Sequence, residues 1–294
     1  MTVKTAQARI KLANIIESLL GYSVTKVSNT PAIDEKTYNP QGNKAKSLYS
    51  INSEHSILAR AQKRQDLLLI KQQQNIETIL ALAMEFCPDV ACAKQPDADW
   101  VEHFIALCED TSNQSMQVLW AKIFTGETIS PGTFSIKSLQ TLKHMTQREA
   151  DSLRKCVSIS GYNEKDSSHL IFLGYYKKPS LFDLLGKGNK VSLSIGKSGV
   201  SFPDVLTLMD LNLLYRKEIE SAALKVGQEF TLSFLSQKLT LKAKSNDLVL
   251  SYYKFTQTGD ELFRLMNYPI NKVYKQLIGS AFEGEFELVW HSLK

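Results

Sequence analysis

The chain has 294 residues, 43% of them hydrophobic and 22% charged. That is the balance of a folded globular protein, with length for one large domain or two ordinary ones, and it excludes a disordered or collagen-like chain. A net charge of +5 is mild and falls short of the concentrated basic footprint of a dedicated nucleic-acid binder. The first residues, MTVKTAQARIKLANIIESLLGYS, lack the continuous apolar run of a secretory signal, and no window reaches the length of a membrane span. The expected location is therefore cytoplasmic, and the expected state of Cys87, Cys92, Cys108 and Cys156 is the thiol.

Taken in chain order, residues 6–20 place Ile10, Ala13, Ile16, Leu19 and Leu20 at helical spacing, and Gly21 is a fitting stop. Residues 21–53, with Pro31, Pro40 and Gly42 among many Ser, Asn and Thr, read as a long loop. Residues 54–86 contain no Gly or Pro and predict one long helix. Its heptad seam mixes Leu58, Ala61, Leu68, Ile79, Leu82 and Phe86 with polar Gln65, Gln72 and Asn75, which weakens a coiled-coil reading. Leu67, Leu68, Leu69 and Ile70 cover most of the circumference, so one face of a lone chain would stay wet. The expectation is a homo-oligomer that uses residues near 60–75.

Two helices are predicted over 97–123, the first holding Trp100, Phe104 and Cys108 and the second Trp120 and Ile123. Two more follow near 136–144 and 147–158, the second opened by a Thr146–Glu149 capping box. After Gly161 the pattern changes. HLIFLGYY predicts a strand, and SFPDVLTLMDLNLLY a helix capped by Ser201 with Pro203 in its first turn. Three period-two runs, led by Phe230, Leu239 and Leu248, predict half-buried strands with a turn at Ser245–Asp247. A capping box Thr258–Glu261 opens another helix, Pro269–Ile278 forms a further one, and Phe286, Leu288 and Trp290 mark a last strand.

The fold class expected is α+β and mainly helical. An N-terminal helix and polar loop (1–53) and a helical domain (54–160) precede a small mixed α/β module (161–294) whose order of helix, hairpin strands and helix is that of winged-helix-like modules, among others.

The most distinctive stretch is LWAKIFTGETISPGTFSIKSL, residues 119–139. Gly126 is placed to take a left-handed C-cap after the Trp120 helix, and Pro131-Gly132 to make a turn. Ser135 is a fitting N-cap, with Phe134 and Leu139 as a hydrophobic staple. Glu127 stands just past the predicted helix end, where the macrodipole disfavours a carboxylate. It therefore needs a partner, and the N–H groups of residues 132–136 or Lys137 are nearest. Read this way, Trp100, Trp120, Gly126, Glu127, Pro131, Gly132, Phe134 and Ser135 are a structural signature.

The segments DADWVEHFIAL, MQVLWAKIFTGETISPGTFSIKSLQTLKHMTQREA and FTQTGDEL resemble an uncharacterised bacterial family, the domain of unknown function 2806. Asp99-Trp100, Gln117–Glu127 and Pro131–Leu139 carry the resemblance, which covers about residues 60–265. It implies no assigned activity. A looser similarity in helical pattern to abortive-infection proteins of phage defence implies a defence or regulatory role.

Other chemistry is thinly marked. Cys87, Cys92, His103 and Cys108 lack the spacing of a zinc finger or ribbon, so no metal is expected. SIGKSG (194–199) echoes a phosphate loop, but Val191 stands where the pattern needs glycine. Lys187, Lys190 and Lys197 are candidates for contact with an anionic partner. No Ser-His-Asp order or His-Glu-x-x-His motif stands out, and no cofactor is expected. The leading expectation is a non-enzymatic macromolecular interaction protein, and the alternative is a winged-helix-like DNA binder.

Overall fold

The structure, a computed structural model, describes residues 14–17, 19, 21–26, 49–51, 55–88, 95–178 and 190–293. Two compact units divide the chain: Met1–Ala81 with Glu109–Gln117, and Leu82–Cys108 with Val118–Lys294.

In the first unit, residues 14–17 are helical and the Gly21 N–H closes on Glu17 O at 2.8 Å; the start of the helix expected at 6–20 lies outside the described residues. The expected loop holds an antiparallel ribbon, β1 (Val24–Lys26) on β2 (Tyr49–Ile51), whose three-residue strands are too short to show an alternating pattern. The long helix α1 runs Ile57–Phe86. The polar residues of its seam have long-range partners. Asn75 is buried, donates from Nδ2 to Glu109 O at 2.7 Å and accepts from Gln117 Nε2 at 3.2 Å. Gln72 Nε2 reaches Glu109 Oε1 at 3.2 Å and Asp110 Oδ1 at 3.0 Å. These amides serve as a clamp on residues 109–117, where a coiled coil would have put apolar side chains.

The second unit contains α2 (Ala98–Cys108), most of α3 (Gln114–Ile129), α4 (Ile136–His144) and α5 (Gln147–Val157). Trp100, Phe104, Trp120 and Phe124 stack into one aromatic cluster, with the Phe104 centroid 5.3 Å from Trp100 and 5.0 Å from Phe124. An antiparallel sheet follows: β3 (Gly161–Asn163), β4 (Ser168–Lys177), β5 (Val191–Ser192), β6 (Ile219–Glu220), β7 (Glu229–Ser233), β8 (Gln237–Ala243), β9 (Leu248–Lys254) and β10 (Phe286–Ser292). Its order is β10-β8-β7-β3-β4-β9-β6, with β5 beside β4. It is larger than the expected hairpin strands because β3, β5 and β6 span only two or three residues each and carry no periodicity.

Three more helices complete this α+β unit: α6 (Phe202–Asp210), α7 (Gln257–Phe263) and α8 (Lys272–Phe282). The expected Pro269–Ile278 helix starts later, because Asn271 supplies the N-cap to Val273 and Tyr274. The helix opened by Ser201 stops at Asp210, where Asn212 turns to φ 57°. Phe172, Tyr175, Phe282 and Phe286 form the sheet-side core, and the buried Tyr274 hydroxyl donates to Phe172 O at 3.2 Å.

Candidate functional site

The signature residues meet in one place. Gly126 lies inside α3, which continues to Ile129, so it is not the C-cap that its sequence position suggests. A Cβ on Gly126 would stand 3.1 Å from the Phe134 ring, so the glycine lets the returning loop press against the helix. Gly132 reverses the chain at φ 87°, a conformation costly for any other residue type. Glu127 is 2% exposed; Oε1 accepts the Gly132 N–H at 2.5 Å and Oε2 the Phe134 N–H at 2.9 Å. The carboxylate thus closes the loop from within through its backbone, and Lys137 remains exposed. The Trp100 indole N–H donates to Phe134 O at 2.7 Å, so both backbone groups of Phe134 are tied. Pro131 is exposed in the turn, and Trp120 is fully buried behind it.

Ser135 caps α4, its Oγ accepting the Ser138 N–H at 3.3 Å. A second buried carboxylate reaches the same helix start. Glu261, 4% exposed on α7, accepts from Ser135 N and Ser135 Oγ at 2.7 Å each, and from the Ser138 hydroxyl. Its other oxygen accepts from Gln257 Nε2 at 2.9 Å. A negative charge at a helix N-terminus is favourable, and charged acceptors make stronger hydrogen bonds than neutral ones. The expected Thr258–Glu261 capping box is therefore not formed. Thr256 caps α7 through the Gly259 N–H at 3.1 Å, which leaves Glu261 for α4.

Beside this loop lies a polar pocket of about 270 Å³, lined among others by Thr133, Asp166, Tyr215, Lys254, Asp260 and Arg264. Asp166 Oδ2 accepts the Tyr252 hydroxyl at 3.2 Å, and Lys254 Nζ donates to Asp166 O at 3.3 Å. Burial, and then the Asp166 charge, push the Tyr252 phenol up to about 12, so it keeps its proton as a donor. Asp260 Oδ1 meets the His169 backbone N–H at 2.8 Å and its Nδ1 at 2.6 Å, while the imidazole stacks 3.5 Å from Phe263. The pocket's carboxylates are held in fixed bonds to the fold; Tyr215 and Arg264 stand exposed on its rim.

Beneath α5, Asp204 accepts from Ser152 Oγ at 2.8 Å, Lys155 Nζ at 3.0 Å, and Ser201 N and Oγ at 2.8 and 2.6 Å. Burial works against its ionisation, but the Ser201 and Ser152 hydroxyls, the Ser201 N–H and Lys155 together outweigh it and hold the carboxyl well below the usual range. Burial, followed by the Asp204 charge, pushes the neighbouring Cys156 thiol up to about 12.

The remaining sequence candidates are dispersed. Lys190 Nζ lies 3.7 Å from Glu218, Lys197 is exposed in a 3-10 turn (Ile195–Ser198), and Lys187 lies outside the described residues. Cys87 is exposed, Cys108 is buried, and the His103 Nδ1 pairs with Asp99 O at 2.8 Å; Cys92 lies outside the described residues. Among the described residues no helix is long and apolar enough to cross a membrane.

Two features were hidden from sequence reasoning. Glu261 carried a misleading local signal, and the pocket joins residues 132 positions apart, from Gly132 to Arg264, with no motif between them. No curated protein and no solved structure matches the chain. A family profile matches residues 59–279, a span that takes in the Trp100–Ser135 signature and Glu261, and the chain belongs to that family, described as protein of unknown function DUF2806.

Proposed function

We propose that the protein is a non-enzymatic interaction protein that binds a macromolecular partner through the N-terminal half of α1. The observation that carries this reading is the run 61–70, ten successive exposed positions within a helix of 30 residues. Leu68, Leu69 and Ile70 are 50%, 55% and 56% exposed, which is a poor use of side chains whose burial is worth about 1.5–3 kcal/mol each. Arg60, Lys63, Arg64 and Lys71 surround them against the single carboxylate of Asp66. Such a surface suits a protein partner that is apolar and acidic. A defence or regulatory role is part of this proposal, on the strength of the helical pattern alone.

A second reading keeps the contact within copies of the chain, through residues near 60–75. Antiparallel pairing centred between Leu68 and Leu69 would set Asp66 opposite Lys71 and Arg60 opposite Glu77 of the second copy, and that charge match favours it. The test is a photo-crosslinking side chain at Leu69 in living cells, with Glu164 as an exposed control. A nuclease-resistant adduct to another protein is the expected product. An adduct of twice the chain mass selects self-association, a nuclease-sensitive one selects a winged-helix-like DNA binder, and no adduct above the control overturns the proposal.

A further inference from the structure

The polar pocket beside the α3–α4 loop lies wholly within the second unit. Its acid Glu261 is taken up by the start of α4 and by Gln257. The other charged residues of its lining are two acids and two bases, and among the described residues no acid of the four is ion-paired to a base of the four. Asp260 and Arg264 stand four residues apart on an intact helical turn. The Arg264 N–H donates to Asp260 O at 3.3 Å, and Arg264 keeps φ −59° and ψ −22°. Side chains at that spacing are neighbours, with Cβ atoms about 5–6 Å apart, where Asp and Arg ordinarily attract each other. Here Asp260 instead turns Oδ1 to the His169 backbone N–H and Nδ1. The Arg264 guanidinium has no partner among the described residues.

Lys254 and Asp166 repeat the pattern. Tyr252 and Lys254 are two residues apart on β9, so their side chains leave the same face of the strand. They hold Asp166 by different groups. The Tyr252 hydroxyl donates to Oδ2 at 3.2 Å, whereas Lys254 Nζ donates to the backbone O at 3.3 Å and leaves the carboxylate of the same residue alone. The turn that carries Asp166 is fixed as well, since Asn163 Oδ1 accepts the Asp166 N–H at 2.9 Å. Asp166 Oδ1 and Asp260 Oδ2 are left without a hydrogen bond among the described residues, and Asp166, Lys254 and Asp260 are all half-buried.

Charges held apart in partly buried places are costly unless something completes them. A phosphate would suit Arg264 and Lys254 but would bring negative charge up to Asp166 and Asp260. A diamine would do the reverse, and a neutral sugar would compensate neither sign. A molecule with one ammonium and one carboxylate answers both. The pocket's volume of about 270 Å³ lies just under the range of about 300–1,000 Å³ of ordinary ligand sites, so the occupant is small. We propose that this pocket binds a free amino acid, with its carboxylate on Arg264 and Lys254 and its ammonium on Asp166 Oδ1 and Asp260 Oδ2. The Tyr215 hydroxyl on the rim is a further donor for the carboxylate. Because His169, Tyr252 and Asn163 already fix the two acids, little ordering is required on binding.

The test is calorimetric titration of the full chain with each standard L-amino acid in turn at millimolar concentration, with inorganic phosphate and glucose in parallel. At least one amino acid is expected to bind. Its α-amide and its N-acetyl form, each lacking one of the two charges, should bind at least about tenfold more weakly. Arg264→Gln should weaken binding about tenfold to a hundredfold, as the loss of a hydrogen bond to a charged group does. The melting temperature of the ligand-free variant should not move, since the guanidinium has no partner to lose. In this variant the free acid should bind no better than its amide. Asp166→Asn can still accept from Tyr252 and should weaken binding to a similar extent, whereas Lys122→Gln, exposed on α3, should not. The proposal is overturned if no amino acid binds, or if phosphate or glucose binds in their place. An amide or N-acetyl form that binds as well as the free amino acid overturns it too, as does an Arg264→Gln chain that binds like wild type.

Discussion

The loop that joins α3 to α4 and the N-terminal half of α1 are opposite solutions to the same problem. In the loop, two buried carboxylates have six hydrogen-bond donors converging on them from Gly132, Phe134, Ser135, Ser138 and Gln257, and the aromatic cluster fills the space behind. In α1, ten successive residues face outward and four apolar side chains in a row remain exposed. Apart from the buried Trp120 indole N–H, which has no hydrogen-bond partner, the most distinctive part of the sequence is thus the part that is satisfied internally, and the plainest part leaves apolar side chains in water. A conspicuous motif is a guide to what the fold cannot lose. A partner is better sought where side chains or backbone groups lack one.

The comparison breaks first at the loop. Trp120 is fully buried and meets the Phe104 ring edge-on at 5.6 Å. Trp120→Ala should cost about 3–5 kcal/mol in chemical denaturation. A mutant as stable as wild type would mean the cluster relaxes freely and is no anchor. Glu261→Ala comes next, at about 3 kcal/mol, because it strands the Ser135 N–H and the Ser135 and Ser138 hydroxyls in a buried place. If Glu261→Ala proves neutral, the carboxylate serves the adjacent pocket and not the helix start.

How far these regions could be read beforehand follows from the range of each signal. Ser135, Thr146 and Ser201 cap their helices as their local sequences predict, since a cap is decided within four residues. The alternation Leu239-Leu241-Ala243 is likewise local, and these residues are buried in β8. Gly126 misled because a glycine near a helix end has two uses, and only the distant Phe134 ring selects between them. Thr256 and Thr258 both offer a cap to α7. The local rule favours Thr258 for its Glu261, but the start of α4 claims that carboxylate from 126 positions away. Asn75 and Gln72 looked like flaws in a seam for the same reason, since their partners are at 109–117.

Smaller effects sharpen the contrast between buried and surface charge. The folded-state pKa of Asp204 lies below its ordinary value of about 3.9, so the unfolded chain takes up a proton first as pH falls. Its contribution to stability is complete above about pH 4 and is lost as pH falls below that. Asp204→Asn should be less stable than wild type by about 1–2 kcal/mol near neutrality. The gap should close as denaturation is repeated towards pH 2, and a gap constant across that range would show that packing, not charge, holds the site. The exposed ion pair of Arg216 with Asp210, 3.1 Å apart, is screened by solvent, and pairs of this kind contribute little to stability.

The smallest expected effect lies in α1. Leu68 and Leu69 are about half exposed, and their neighbours in the run 61–70 are exposed too. Substitutions away from packed contacts usually stay within about 0.5 kcal/mol. Leu68→Gln with Leu69→Gln should therefore leave the denaturation midpoint of the purified protein nearly where it was, since glutamine forms helices almost as well as leucine. The same double variant should lose the partner captured at α1 in cells, because desolvated apolar anchors at a contact carry a large share of its affinity. Stability and binding thus separate, which they would not do at Trp120 or Glu261. A loss of stability above about 1.5 kcal/mol, without any change in captured partner, would mean that Leu68 and Leu69 are covered by the chain itself. The helix would then belong with the loop, as a region whose demands are met from within.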